Sequence, residues 1–108
     1  SENIYVLDGN TGATAGIAEM LLQSNDDYIN LLPALPEEFD NGLVKGLRAR
    51  GGFEVDVVWA ENQLSSAKIK SLNGKKCRVR YKDISIDFST ESNTVYLIEF
   101  DNGKLFCS

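Results

Sequence analysis

Three groups of residues in this chain have types and spacings that could do chemistry. The first is Asp8-Gly9-Asn10, a carboxylate and an amide on either side of a glycine, just before an apolar helical pattern. Taken alone, the triplet is a weak motif for chemistry. The same triplet also reads as plain turn chemistry followed by a helix N-cap, in which Asn10 or Thr11 accepts an orphan backbone N–H. The second group is basic. Arg48-Ala49-Arg50-Gly51-Gly52 contains an Arg-Gly-Gly element, and Lys76, Arg78, Arg80 and Lys82 form a strip at every second position. Arg-Gly-Gly binds RNA when repeated many times in a disordered basic segment. One copy in an acidic, apolar-patterned chain reads as structural. Its arginines are expected to pair with carboxylates such as Glu54 or Asp56, or to bond loop carbonyls. The strip reads as a solvated strand face that guards an edge, with polyanion binding as the alternative. The third group is Trp59, Tyr81, Tyr96 and Phe100. These would stack on sugar rings if exposed in a row, but their place in alternating strands favours the core, with Tyr96 the open case.

Composition removes whole classes of chemistry. The 108 residues hold no histidine, so Ser-His-Asp and Cys-His catalysis and most zinc sites are excluded. The two cysteines, Cys77 and Cys107, lack CxxC spacing. Cys77 alternates with Val79 and Tyr81 as a small buried hydrophobe would, so inert thiols are expected. A disulfide is the alternative, and it would need their strands to be neighbours. No cofactor is implied. The net charge of −5 argues against a nucleic-acid partner. No apolar run approaches the roughly 20 residues of a membrane span.

The elements that must position these residues follow from periodicity. Phe53, Val55, Val57 and Trp59 alternate with Glu54, Asp56 and Val58, the pattern of a half-buried strand. Burying those four side chains contributes roughly 6–12 kcal/mol gross, so this strand is expected at the centre of the core. A helix is expected over Gly12 to Gln23, with Ala13, Ile17, Met20 and Leu21 as one stripe. Further strands are expected at Tyr28–Leu32, Leu43–Arg50, Leu64–Leu72, Lys76–Lys82, Ile84–Phe88, Val95–Phe100 and Lys104–Cys107. Asn73-Gly74 is the strongest hairpin signal, because a type I′ turn needs positive φ at both central residues. The spacing of turns and strands predicts one mainly β domain: an antiparallel two-sheet β-sandwich of about seven or eight strands with one N-terminal α-helix. Residues 1–27 form the lead-in and helix, and 28–108 the sandwich.

One long ungapped stretch resembles a known family. Leu31-Leu32-Pro33-Ala34-Leu35-Pro36, a short acidic spacer, and then Gly42 to Asp56, reading G-L-V-K-G-L-R-A-R-G-G-F-E-V-D, resemble the C-terminal part of family-95 glycoside hydrolases, the α-L-fucosidase group. Gly16 to Ser24, G-I-A-E-M-L-L-Q-S, matches the family's helix after its Asp-Gly-Asn. Thr11 stands where the family has an aromatic residue, and Asn3 to Leu7 differ from the family's approach to the motif.

The resemblance implies inverting hydrolysis of a terminal α-L-fucoside, or a related α-L-galactoside, in a parent enzyme. It implies Asp8 as the base and Asn10 as a substrate-binding residue. Inversion needs a second carboxyl roughly 6.5–9.5 Å away, which in the family lies on an (α/α)₆ barrel that 108 residues cannot hold. The resemblance therefore implies a non-catalytic accessory domain that reaches a glycan only through that barrel and works in a secreted or periplasmic setting. A free-standing carbohydrate-binding or protein-interaction module is the alternative. With the barrel missing, the helix Gly12–Gln23 is expected to expose an apolar face and to pair two copies of the chain.

Overall fold

Phe53–Ala60 (β5) is the strand on which the others assemble. Val55 and Val57 are 0% exposed, and Phe53 and Trp59 nearly so, while Val58 lies on the solvent face. The computed structural model describes residues 4–9 and 14–108. Within them the remaining elements are β1 (Ile4–Asp8), α1 (Ala15–Leu21), β2 (Leu22–Ser24), β3 (Ile29–Leu31), β4 (Asn41–Ala49), β6 (Gln63–Ser71), β7 (Cys77–Tyr81), β8 (Ile84–Phe88), β9 (Thr94–Asp101) and β10 (Lys104–Cys107).

The strands form two sheets. A six-stranded sheet has the order β1-β4-β5-β6-β9-β10, and a four-stranded sheet has the order β2-β3-β7-β8. Their facing sides enclose one core. Val44, Val55, Val57, Ile69 and Ile98 come from the large sheet, Leu31, Cys77 and Val79 from the small one, and Leu21 from the helix. This is the expected mainly β, two-sheet sandwich with one helix.

Four details differ from the sequence reading. Two strand pairs are parallel, β1 with β4 and β3 with β7. A parallel pair cannot be closed by a tight turn and needs a long crossover, and the connections through α1 and through the large sheet supply it. The described residues also contain ten strands, because the lead-in and Leu22–Ser24 join the sheets.

The helix is shorter than expected at its C-terminal end. At Leu22 the backbone turns extended, so that Leu22 is buried and pairs with Leu31. The carbonyls of Leu21 and Met20 accept from the N–H groups of Leu32 and Ala34, which closes the helix end without further turns. Its N-cap is Thr14, whose side chain accepts from the Ile17 N–H; Asn10 and Thr11, expected in that role, lie outside the described residues.

Asn73-Gly74 is not a hairpin turn. β6 pairs with β9, and the chain after β6 crosses to the other sheet. Ser71, fully buried, organises that crossing: its Oγ accepts from the Gly74 N–H at 3.0 Å and donates at 2.8 Å to the Thr90 hydroxyl, which itself donates to the Lys75 carbonyl. Among the described residues the two-residue hairpin turns are Glu61-Asn62 and Asn102-Gly103, where both central residues take positive φ, and Lys82-Asp83, where Lys82 does.

Candidate functional site

Asp8 ends β1, on the exposed face of the sheet edge, in register with Lys45 of β4. What holds it there can be followed inward. The Gly9 N–H donates to the Lys45 carbonyl at 2.6 Å. A Cβ on Gly9 would stand 2.9 Å from the backbone of Gly46 and Leu47, so only glycine permits this approach. Opposite it, β4 is irregular between Val44 and Leu47, and Gly46 takes φ 77°. The bulge is fixed from the next strand, because the Asp56 carboxylate accepts from the Gly46 N–H at 2.9 Å. Asp56 therefore positions the β4 bulge, the bulge seats Gly9, and Gly9 places Asp8. Asn10 lies outside the described residues.

A broad, open depression of about 590 Å³ adjoins this turn between α1, β2 and β4. Gly9, Ala18 and Leu47 form its apolar part, and Glu19, Gln23 and Arg48 its polar part. Glu19 and Arg48 were not singled out as a pair by sequence reasoning. They stand 29 positions apart, and only the packing of the helix against the β4 side brings them to one hollow. Among the described residues, no three acidic or thiol side chains converge as metal ligands.

The other groups are dispersed. Arg50 pairs with Asp26 at 3.2 Å and not with Glu54 or Asp56, because β4 ends beside the loop after β2, where the Arg50 N–H also donates to the Ser24 hydroxyl. Lys76 and Arg78 share Asp87 of the neighbouring strand, each at 3.5 Å. The Arg80 guanidinium lies 5.4 Å from the centre of the Tyr28 ring. The strip thus faces solvent, as expected, with its charge partly met by Asp87, but it guards no edge, because β7 lies between β3 and β8.

The aromatic residues do not form an exposed row. Trp59 and Tyr81 are buried, and the Tyr81 hydroxyl accepts from the Leu64 N–H at 3.1 Å. Phe100 meets Tyr81 edge-on at 5.0 Å, and half-buried Tyr96 packs on Phe88 at 5.3 Å while its hydroxyl accepts from the Glu91 N–H. Cys77 and Cys107 are free thiols, the first buried and the second exposed. Burial, with a smaller contribution from Cys107, pushes the Cys77 thiol up to about 12.

Comparison with known proteins addresses most of the chain. Residues 23–106 match the glycoside hydrolase family 95, C-terminal domain. Alpha-L-fucosidase 2 of Arabidopsis thaliana is 43% identical over 82 residues, a region that covers 75% of this chain and 10% of that protein. The chain thus corresponds to a small part of that relative's length. Asp8 precedes the stretch matched to the family domain.

Proposed function

Because this chain belongs to glycoside hydrolase family 95, as the C-terminal domain of that family, we propose that it is the non-catalytic β module of an enzyme that hydrolyses terminal α-L-fucosides with inversion. The observation that carries this reading is the 43% identity to a protein named alpha-L-fucosidase. The sandwich braces a catalytic domain supplied by the rest of the protein and holds the Asp8 turn against it. In this reading Asp8 is the base that takes a proton from the attacking water, and Asn10 binds a sugar hydroxyl or that water. The acid that protonates the leaving oxygen comes from that catalytic domain, roughly 6.5–9.5 Å from Asp8. The chain of contacts from Asp56 through Gly46 to Gly9 supports this reading, since a base must be held within hydrogen-bond reach of its proton.

The test is hydrolysis of a fucosyl substrate. The 108-residue chain alone is expected to release no fucose. The complete gene product is expected to release it, and Asp8→Asn in that protein should lower kcat by about 10²–10⁴-fold. Turnover by the isolated chain, or full activity of the Asp8→Asn enzyme, would refute the proposal. The same reading places the enzyme in a secreted or periplasmic setting, which fractionation of cells expressing the complete gene checks.

Self-association through the helix Gly12–Gln23 belongs to the proposal in a restricted form. Within α1 the exposed residues are Ala15, Gly16 and Glu19, beside its exposed cap Thr14, so the described part shows no large apolar face of the kind expected, and a contact would run through small and polar side chains. A strictly monomeric isolated chain in sedimentation would remove it.

A further inference from the structure

We propose that a groove along β3 and β7 is a binding surface for neutral oligosaccharides, carried by this domain itself. Two adjoining depressions, of about 270 and 360 Å³, share Asp27, Tyr28 and Arg78. They share no lining residue with the hollow beside Gly9.

Tyr28 is the wall common to both depressions, and it is held in advance of any ligand. The Asn25 side chain accepts from the N–H groups of Asp27 and Tyr28 at 2.8 and 3.0 Å, and the Asn25 N–H donates to the Tyr28 carbonyl at 3.0 Å. Arg80 lies against its ring. The hydrogen bonds order the backbone that carries Tyr28 and Arg80 lies on one side of its ring, so little freedom is lost there on binding.

The polar groups around it suit hydroxyls and not phosphates or sulfates. Asp26 is paired with Arg50, and Asp87 with Lys76 and Arg78, while Asp27 and Asp83 add further negative charge. The two linings hold five bases, Arg50, Lys75, Lys76, Arg78 and Arg80, against three acids, Asp26, Asp27 and Asp83. With Asp87, which lies outside the linings but meets Lys76 and Arg78, the surplus is one positive charge, short of the cationic surface that a polyanion requires. Paired carboxylates and guanidinium groups offer acceptors and donors side by side. A sugar hydroxyl, at once donor and acceptor, can bond to both, and the aromatic ring offers a face for the sugar's C–H groups.

A protein partner fits this groove less well. The large exposed apolar residues, Ile4, Val6, Val58, Val95 and Phe106, all lie on strands of the other sheet. The inference does not depend on which glycoside the parent enzyme cleaves.

The test is an amide NMR titration of the 108-residue chain, with 2′-fucosyllactose, lactose and a cellulose-derived tetrasaccharide as neutral probes and a heparin-derived disaccharide as the polyanion. At least one neutral probe should give saturable shifts confined to residues around Asp27, Tyr28, Arg78 and Arg80, with a Kd on the order of 1 mM. Tyr28→Ala and Arg78→Ala should each weaken it by about tenfold, while Lys68→Ala, on the other sheet, leaves it unchanged. Their thermal melts separate a binding defect from unfolding. No shifts with any neutral probe at about 10 mM, binding mapped elsewhere, or preference for the heparin disaccharide would each overturn the proposal. Failure of the complete gene product to hydrolyse fucosides would refute the catalytic reading and leave this one standing.

Discussion

β5 and β1 belong to the same sheet and live under different rules. β5 has an antiparallel partner on each side, and its inner residues are all 4% exposed or less. β1 has one partner, in parallel, and Ile4 and Val6 are 71% and 69% exposed. The two strands communicate through an aromatic stack. Tyr5 lies 4.2 Å from Phe39, and Phe39 lies 6.3 Å from Trp59, so the underside of β1 rests on the core that β5 builds. Folding free energy is concentrated where water is excluded, whereas the candidate reacting residue sits at a margin that the centre positions.

Breaking the centre should produce the largest effect. Trp59→Ala should cost about 3–5 kcal/mol of stability in urea unfolding, while Ile4→Ala on the exposed edge should stay within about 0.5 kcal/mol. Equal losses from the two variants would erase the contrast between the strands.

The second effect is read with pH. The buried Cys77 thiol resists ionisation up to about 12, against 9.0 for a free one. Between these values the unfolded chain loses the proton and the folded chain keeps it. Unfolding is then favoured as pH rises, and stability present below pH 9 is lost by at most about 1.4 kcal/mol per pH unit. Urea titrations across this window should show the decline, and Cys77→Ala should flatten it.

A smaller effect tests the link from centre to edge. Gly46→Ala forces a side chain into φ 77° and should cost about 1–2 kcal/mol. It should also move the amide signals of Asp8 and Gly9, because the bulge is what seats them. Unmoved signals would show that the edge is positioned by something other than the bulge. Least of all, Arg50→Ala should cost about 0–1 kcal/mol, since its bridge to Asp26 is largely solvated.

Much of this fold is legible residue by residue. Alternation placed Phe53, Val55, Val57 and Trp59 inside, and it did the same for Cys77, Val79 and Tyr81. The turn residues Asn102-Gly103 announce their hairpin through the positive φ they tolerate. Asn73-Gly74 shows the limit: the dipeptide permits a tight turn, but Gly74 takes positive φ in a crossing between sheets, because β9 occupies the edge of β6 that a hairpin would have used. The helix shows the same limit. Leu22 continues the apolar stripe, yet pairing with Leu31 buries it in a strand.

The candidate site was legible only in part. Asp8-Gly9 stood out by type, but the reason for Gly9 lies in a bulge 37 residues later in the chain. The partner of Arg50 was missed because Asp26 is remote in sequence and near only once β4 ends beside the loop after β2. Tyr28 drew no attention as a binding wall, since nothing local distinguishes it from a strand residue.

The order of residues by itself determined which side chains face inward, because a strand's two-residue period acts over distances of a few ångströms along the chain. Only the tertiary structure decided that β1 and β4 run parallel, that β6 chooses β9, and which hydroxyls, carboxylates and rings share a groove. Those outcomes depend on which distant segments compete for one sheet edge, and no local pattern records that competition.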